Sequence, residues 1–168
     1  MSHRSNFSLT RFIVLIALAA IAMIIIFILA DPARRIRANR NARRAADVTA
    51  ILNAVQAYQS AKGTLPPGID TDAKSVQIIG AHPGDCAVIA CPGHALPEMS
   101  CTLEDLEGNL QPFLGQFQFP TDPKTGTDSD SRYFINQDAR HAVTVGACDA
   151  ETEDLSDEET PPAIEVTQ

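Results

Sequence analysis

Five side chains between positions 82 and 101 are of the kinds that hold a transition metal: His82, Cys86, Cys91, His94 and Cys101. Their intervals, H-x3-C-x4-C-x2-H-x6-C, do not match the spacings of regular zinc sites. The four cysteines, Cys86, Cys91, Cys101 and Cys148, all fall in the C-terminal half of the chain. An even number in a small, loop-rich domain is the pattern of disulfides made in an oxidising compartment, and disulfides are the better expectation. Several pairings are open: Cys86 with Cys101 or Cys86 with Cys91 would pin the loop region, and Cys148 could tie the end of the last strand to the same loop. A second grouping, Asp122, Asp128 and Asp130 in TDPKTGTDSDS, offers closely spaced oxygens that could attract calcium. The EF-hand pattern and its distal Glu are missing, so a solvated acidic turn is expected. There is no Walker loop, no G-x-S-x-G, no H-E-x-x-H and no nucleophile–base pair. The expectation is therefore no catalytic residue, no metal, no cofactor and no enzyme activity.

The elements that carry these residues are set by a strong asymmetry of charge. The chain has 168 residues, 45% of them hydrophobic, and a net charge of −8. Residues 1–60 carry eight Arg against Asp31 and Asp47, while residues 61–168 carry five Lys or Arg against nineteen Asp or Glu. Aromatics make up 5% and Trp is absent, which argues against a stacking surface for single-stranded nucleic acid. The basic half adjoins an apolar run, Phe12–Ala30 (FIVLIALAAIAMIIIFILA), with no charge, Gly or Pro. At helical rise it spans about 28 Å, close to the hydrocarbon thickness of a bilayer, where only a helix satisfies the backbone of such a segment. A cleaved secretory signal is the rival, with Ala20-Ile21-Ala22 as its cleavage triplet, but the run continues past that triplet and exceeds the usual length of about 7–15 residues. His3, Arg4 and Arg11 precede the run, and Arg34, Arg35, Arg37, Arg40, Arg43 and Arg44 follow it. Counting positive charge would leave the C-terminal part in the cytoplasm. The cysteines argue for the opposite side, and composition alone does not decide.

Pro32 predicts a kink near Phe27–Ile28. Beyond it, Ala38, Ala42, Ala45, Val48, Ile51, Leu52, Val55 and Tyr58 recur at helical spacing, with Arg37, Arg40, Arg43, Arg44 and Asp47 largely off that stripe. Lys62-Gly63 closes the helix and Pro66-Pro67 prevents its resumption. From Leu9 to Ser60 this reads as one long, bent rod of about 75–80 Å. Its upper half is expected to dock on the chain's own domain and its small-residue lower half to pack against other copies. Ser75–Ile79 is a strand candidate. Thr102 reads as the N-cap of a helix, with Leu103, Leu106 and Leu110 facing a core and Gly108-Asn109 keeping it short. Phe113, Leu114, Phe117 and Phe119 supply further apolar bulk, and Pro120–Pro123 is a stiff turn. Arg132–Asn136 and Ala142–Gly146 read as a hairpin around Gln137–His141. The acidic stretch after Cys148 is expected to be disordered.

This order of parts resembles the type IV pilin and pseudopilin family. The resemblance lies in RNARRAADVTAILNAVQAYQSAKGTLP (Arg40–Pro66), FLGQFQFPTDPKTGT (Phe113–Thr127) and RYFINQDARHAVTVGA (Arg132–Ala147), and covers about residues 5–147. It implies an α+β fold: a long N-terminal transmembrane and amphipathic helix packed on a small antiparallel β-sheet head. The parts would be a cytoplasmic leader and helix start (1–11), a transmembrane helix (12–30), its amphipathic continuation (31–62), a globular head (63–148) and an acidic tail (149–168). The family's processing site, of the form G-F-T-L-x-E, aligns with Asn6-Phe7-Ser8-Leu9-Thr10-Arg11. Cleavage after Asn6 and methylation of Phe7 are what the resemblance implies. Asn6 takes the place of the Gly and Arg11 that of the Glu, which in the family is thought to meet the amino terminus of a neighbouring subunit. The implied function is a structural subunit of a type IV pilus or type II secretion-type filament. Its implied partners are other pilin-like subunits, a prepilin peptidase, assembly-platform proteins and the lipid bilayer. It would sit in the cytoplasmic membrane as a single-pass protein with an extracytoplasmic head. An uncleaved, membrane-anchored extracytoplasmic binding domain is the alternative.

Overall fold

A computed structural model describes residues 9–69, 75–80, 84–85, 91, 100–115, 118–127, 129–152 and 161–168. At 9–10, 27–30, 75–76, 84–85 and 100–105 the description is of the backbone. The chain divides into two compact units, Met1–Ile36 and Arg37–Gln168.

In the first unit, helix α1 runs over Leu9–Ala30 and helix α2 (Pro32–Lys62) begins two residues later. The helix runs through Phe27–Ile28 to Ala30 and is interrupted at Asp31, whose φ is 33°. Asp31 caps the new helix, its Oδ1 accepting from Arg34 N at 3.0 Å. Pro32 then stands at the first helical position, where its missing N–H costs nothing. One continuous rod is therefore replaced by two helices. Among the described residues no helix is long and apolar enough to cross a membrane; the side chains of 27–30 lie outside that description.

In the second unit, α2 ends at Gly63, whose φ of 75° suits a residue without Cβ and whose N donates to Gln59 O at 2.8 Å. The strands are β1 (Ser75–Gly80), β2 (Gly84–Asp85), β3 (Ser100–Asp105), β4 (Tyr133–Gln137), β5 (Val143–Ala147) and β6 (Glu165–Thr167). They form one sheet in the order β2-β3-β1-β4-β5-β6. β1, β4, β5 and β6 are antiparallel, whereas β1 and β3 run parallel from Ser75↔Ser100 to Gly80↔Asp105. The fold is α+β, with a sheet that is mixed rather than purely antiparallel. Val48, Ile51, Leu52, Ala54 and Val55 of α2 pack on one sheet face with Ile79, Tyr133, Ile135, Val143 and Val145. β4 alternates: Tyr133 and Ile135 join this core while Phe134 is buried outside it.

Two expectations need correcting. Thr102 does not cap a helix; it lies in β3, and helix α3 spans Glu107–Leu114 with Leu106 before it and no side-chain cap. Pairing with β1 outweighs the capping signal of Thr-Leu-Glu-Asp. Gly108-Asn109 sits inside α3, which is short at eight residues, and Leu106 and Leu110, four apart, are both fully buried. The helix ends at Gly115, φ 65°. Phe113 meets Tyr58 edge-on, ring centroids 5.5 Å apart, and Phe119 joins the core, while Phe117 lies outside the described residues. Finally, the acidic stretch is ordered at both ends, at 149–152 and at 161–168, where β6 extends the sheet.

The hairpin forms one residue later than read, with strands Tyr133–Gln137 and Val143–Ala147 and its turn at 138–142. The Asp138 carboxylate closes it by accepting from Arg140 N at 2.8 Å and Ala142 N at 2.9 Å.

Candidate functional site

The buried face of α2 does not follow the alanines. Ala42 and Ala45 are exposed, while Asn41 and Arg44 are buried with Val48, Ile51, Leu52 and Val55. Arg44, expected off the stripe, stands first among the large, fully buried side chains of the described residues. Stepping back from Val48 by four and by seven residues reaches 44 and 41, so the spacing held the signal. Their polar side chains hid it.

Arg44 is surrounded by acceptors. Its Nε donates to Asp122 Oδ2 at 2.6 Å and its Nη2 to Asp122 Oδ1 at 3.2 Å. Nη1 reaches Asn41 Oδ1 at 2.8 Å and Glu151 Oε2 at 3.2 Å. Both side chains of the Arg44–Asp122 pair are 0% exposed. A pair this deep persists because a planar fork meets a carboxylate two-pronged and the remaining lone pairs are also satisfied. Asp122 Oδ1 accepts from Lys124 N at 2.8 Å and Thr125 N at 3.0 Å, shaping the Pro-Asp-Pro turn. Gly126 closes that turn, since a Cβ there would fall 2.4 Å from Asp122 N.

Glu151 joins this cluster from the C-terminal stretch. Its carboxylate takes two donors from Arg40, Nε and Nη2, and a third from Lys124 Nζ at 2.9 Å. Its backbone is gripped by Asn41, whose Nδ2 donates to Glu151 O at 2.6 Å and whose Oδ1 accepts from Glu151 N at 3.0 Å. Two residues earlier, Asp149 receives Arg132 Nε at 2.7 Å and Nη2 at 2.8 Å. The Thr125 hydroxyl donates to Asp149 Oδ2 at 2.5 Å. On the opposite flank, Tyr133 OH donates to Asp47 Oδ2 at 2.8 Å. The arrangement is a clamp: it fastens α2, the turn after α3 and the chain beyond β5 at one place.

Burial works against the charge on Glu151, but hydrogen bonds from Arg40, Lys124 and Arg44 outweigh it and hold its pKa at about 2, down from 4.5. Asp122 and Asp149 are lowered in the same way, burial opposing and Arg44 or Arg132 prevailing. Asp47 is raised, chiefly by burial, and Tyr133 is raised by burial and the neighbouring Asp47 charge. The three lowered carboxylates bind protons less readily folded than unfolded. Their stabilisation is complete above their ordinary range and is lost as pH falls through it toward the folded values. Asp47 has the opposite sign. The net expectation is a melting temperature that falls as pH is lowered from about 4.5 to about 2. Glu151→Gln should flatten that slope in circular-dichroism melts; an unchanged slope would show that Glu151 is not its source.

The two groupings weighed for a metal, His82–Cys101 and Asp122–Asp130, are only partly within the described residues. Cys91 is bonded to Cys148, which removes it from a zinc set and from a bridge to Cys86. His82, Cys86 and His94, and the side chain of Cys101, lie outside the described residues. In the acidic turn, Asp122 is committed to Arg44, Asp130 Oδ1 accepts from Arg132 N at 2.9 Å, and Asp128 is outside the description. Among the described residues no group of three or more His, Cys, Asp or Glu is placed to hold a metal ion. Asn6 and Phe7 also lie outside the described residues. No family model, curated protein or solved structure matches the chain.

Proposed function

We propose that the chain is a pilin-like structural subunit of a type IV pilus or type II secretion-type filament, anchored and assembled through its N-terminal helix. The observation that carries this reading is the surface of α1. Phe12, Ile13, Val14, Leu15 and Ile16 are consecutive and each at least 50% exposed, and Met23 is 72% exposed. Five successive positions cover every face of a helix. A helix that is apolar all round needs lipid or other helices about it. Residues 12–30 would supply that span in the cytoplasmic membrane and then the helix-to-helix contacts of the filament. The Cys91–Cys148 bridge supports an extracytoplasmic head, since disulfides persist in oxidising compartments. Prepilin peptidase and assembly-platform proteins are the partners this reading requires.

The test is the mature N-terminus, by mass spectrometry of the membrane fraction. A chain starting at Phe7 with one added methyl is expected, together with the protein in sheared filaments. A second reading, the uncleaved anchored binding domain, rests on Asn6 and Arg11. An intact leader and no filaments would select it.

A further inference from the structure

The arginines that follow the apolar run do not form one patch. Arg40 and Arg44 are committed to Glu151 and Asp122, and Arg43 Nε lies 3.7 Å from Asp47 Oδ2. All three belong to the unit that begins at Arg37. Arg34 and Arg35 belong to the other unit, with α1, and both are exposed. Asp31 is the one acidic residue between Met1 and Ala46, so the pair keeps an excess of positive charge.

The first turn of α2 has two sides. Pro32, Ala33 and Ile36 fall within an arc of about 100° around the helix, and Arg34 and Arg35 lie outside that arc. Ile36 is 53% exposed. An exposed isoleucine beside two exposed arginines suits the boundary between acyl chains and headgroups, where apolar and cationic side chains are both satisfied. The depth agrees. Arg34 and Arg35 come four and five residues after Ala30, the end of α1. At helical rise that is about 6–8 Å. The headgroup layer extends about 5–7 Å beyond the hydrocarbon on each side. A span covering residues 12–30 therefore leaves both arginines at the level of the lipid phosphates, whose oxygens match the guanidinium fork.

We propose that Arg34 and Arg35 bind the phosphates of anionic phospholipid where α1 leaves the bilayer. This rests on the anchoring of α1 in lipid proposed above. The occupant is lipid rather than an acidic protein face because residues 12–26 of the same unit are exposed directly before the pair. Lipid that covers that apolar surface brings its headgroups to the arginines. It is anionic because a zwitterionic headgroup carries a cation of its own beside the phosphate. Charge counting sets these arginines against an extracytoplasmic head. Lipid phosphate answers two of them, and the head's own carboxylates answer Arg40 and Arg44.

The test reconstitutes the full chain in phosphatidylcholine vesicles with a trace of spin-labelled phosphatidylglycerol or spin-labelled phosphatidylcholine. Electron spin resonance separates lipid slowed against the protein from free lipid, and slowing of either label reports that α1 is embedded. Phosphatidylglycerol should be preferred about fivefold at low salt, the attraction of one arginine for an anionic surface. The preference should shrink at high salt. Arg34→Gln with Arg35→Gln should lower it at least threefold, and Arg34→Lys with Arg35→Lys should retain most of it. Equal slowing of both labels, or a preference that survives the glutamine pair, would overturn the proposal while leaving α1 embedded. Equal slowing together with loss of chain–chain association in the glutamine pair would assign the arginines to a protein face instead. Slowing of neither label would overturn the anchoring itself, and the lipid site with it.

Discussion

Arg44→Met is expected to destabilise the folded head by about 3–5 kcal/mol. Methionine keeps much of the volume and removes the charge. Asp122 is then left fully buried with two backbone donors and no cation, and Glu151 loses one of its three partners. The cost is that of an uncompensated buried carboxylate rather than of one hydrogen bond, which would be about 1 kcal/mol. Urea unfolding of the full chain in detergent measures it. Adding Asp122→Asn should return part of the loss, because the stranded charge is gone. Arg35→Met, at an exposed position of the same helix, should stay within about 0.5 kcal/mol. A loss below about 1 kcal/mol for Arg44→Met would show that the pair is hydrated and not the keystone of the clamp.

Cys148→Ser should cost a comparable amount. The bridge to Cys91 closes a loop with a sequence separation of 57, for which the loss of unfolded-chain entropy is about 4 kcal/mol. Cys91→Ser and the double variant should lose the same amount as the single change, because each removes the same link. A double loss near the sum of the two singles would mean that the sulfurs are not joined to one another. Non-reducing peptide mapping of the unaltered chain should join the Cys91 and Cys148 peptides.

Much of the framework was legible in the residues. Val48, Ile51 and Val55 marked the docked face of α2, Gly63 its end, and the alternation of Arg132–Asn136 and Ala142–Gly146 the hairpin, to within one residue of its strands. The parallel partner of β1 was not, because Thr102-Leu103-Glu104-Asp105 carries a helix-start signature and its strand character comes from β1 and β2 on either side. β6 was hidden for the same reason. Three residues of Glu-Val-Thr at the end of an acidic stretch have no strand signal of their own, and the open edge of β5 supplies it. The clamp escaped because charged residues on a helix are usually solvated. Whether Arg44 lies inside depends on Asp122 and Glu151 arriving opposite it, a coincidence in space that periodicity does not encode.

That dependence has a consequence for the order in which the head is completed. Asp122 and Glu151 follow Arg44 by 78 and 107 residues. A chain made from its N-terminus has α2 long before either carboxylate exists, and until they arrive the guanidinium must stay in water. The apolar half of α2 can collapse onto the first strands early, but the half that bears Arg44 closes only when the chain is nearly finished. A chain ending before Asp122 would therefore leave that end of α2 unseated, and one ending between Asp122 and Glu151 would have the buried pair but not the rest of the clamp.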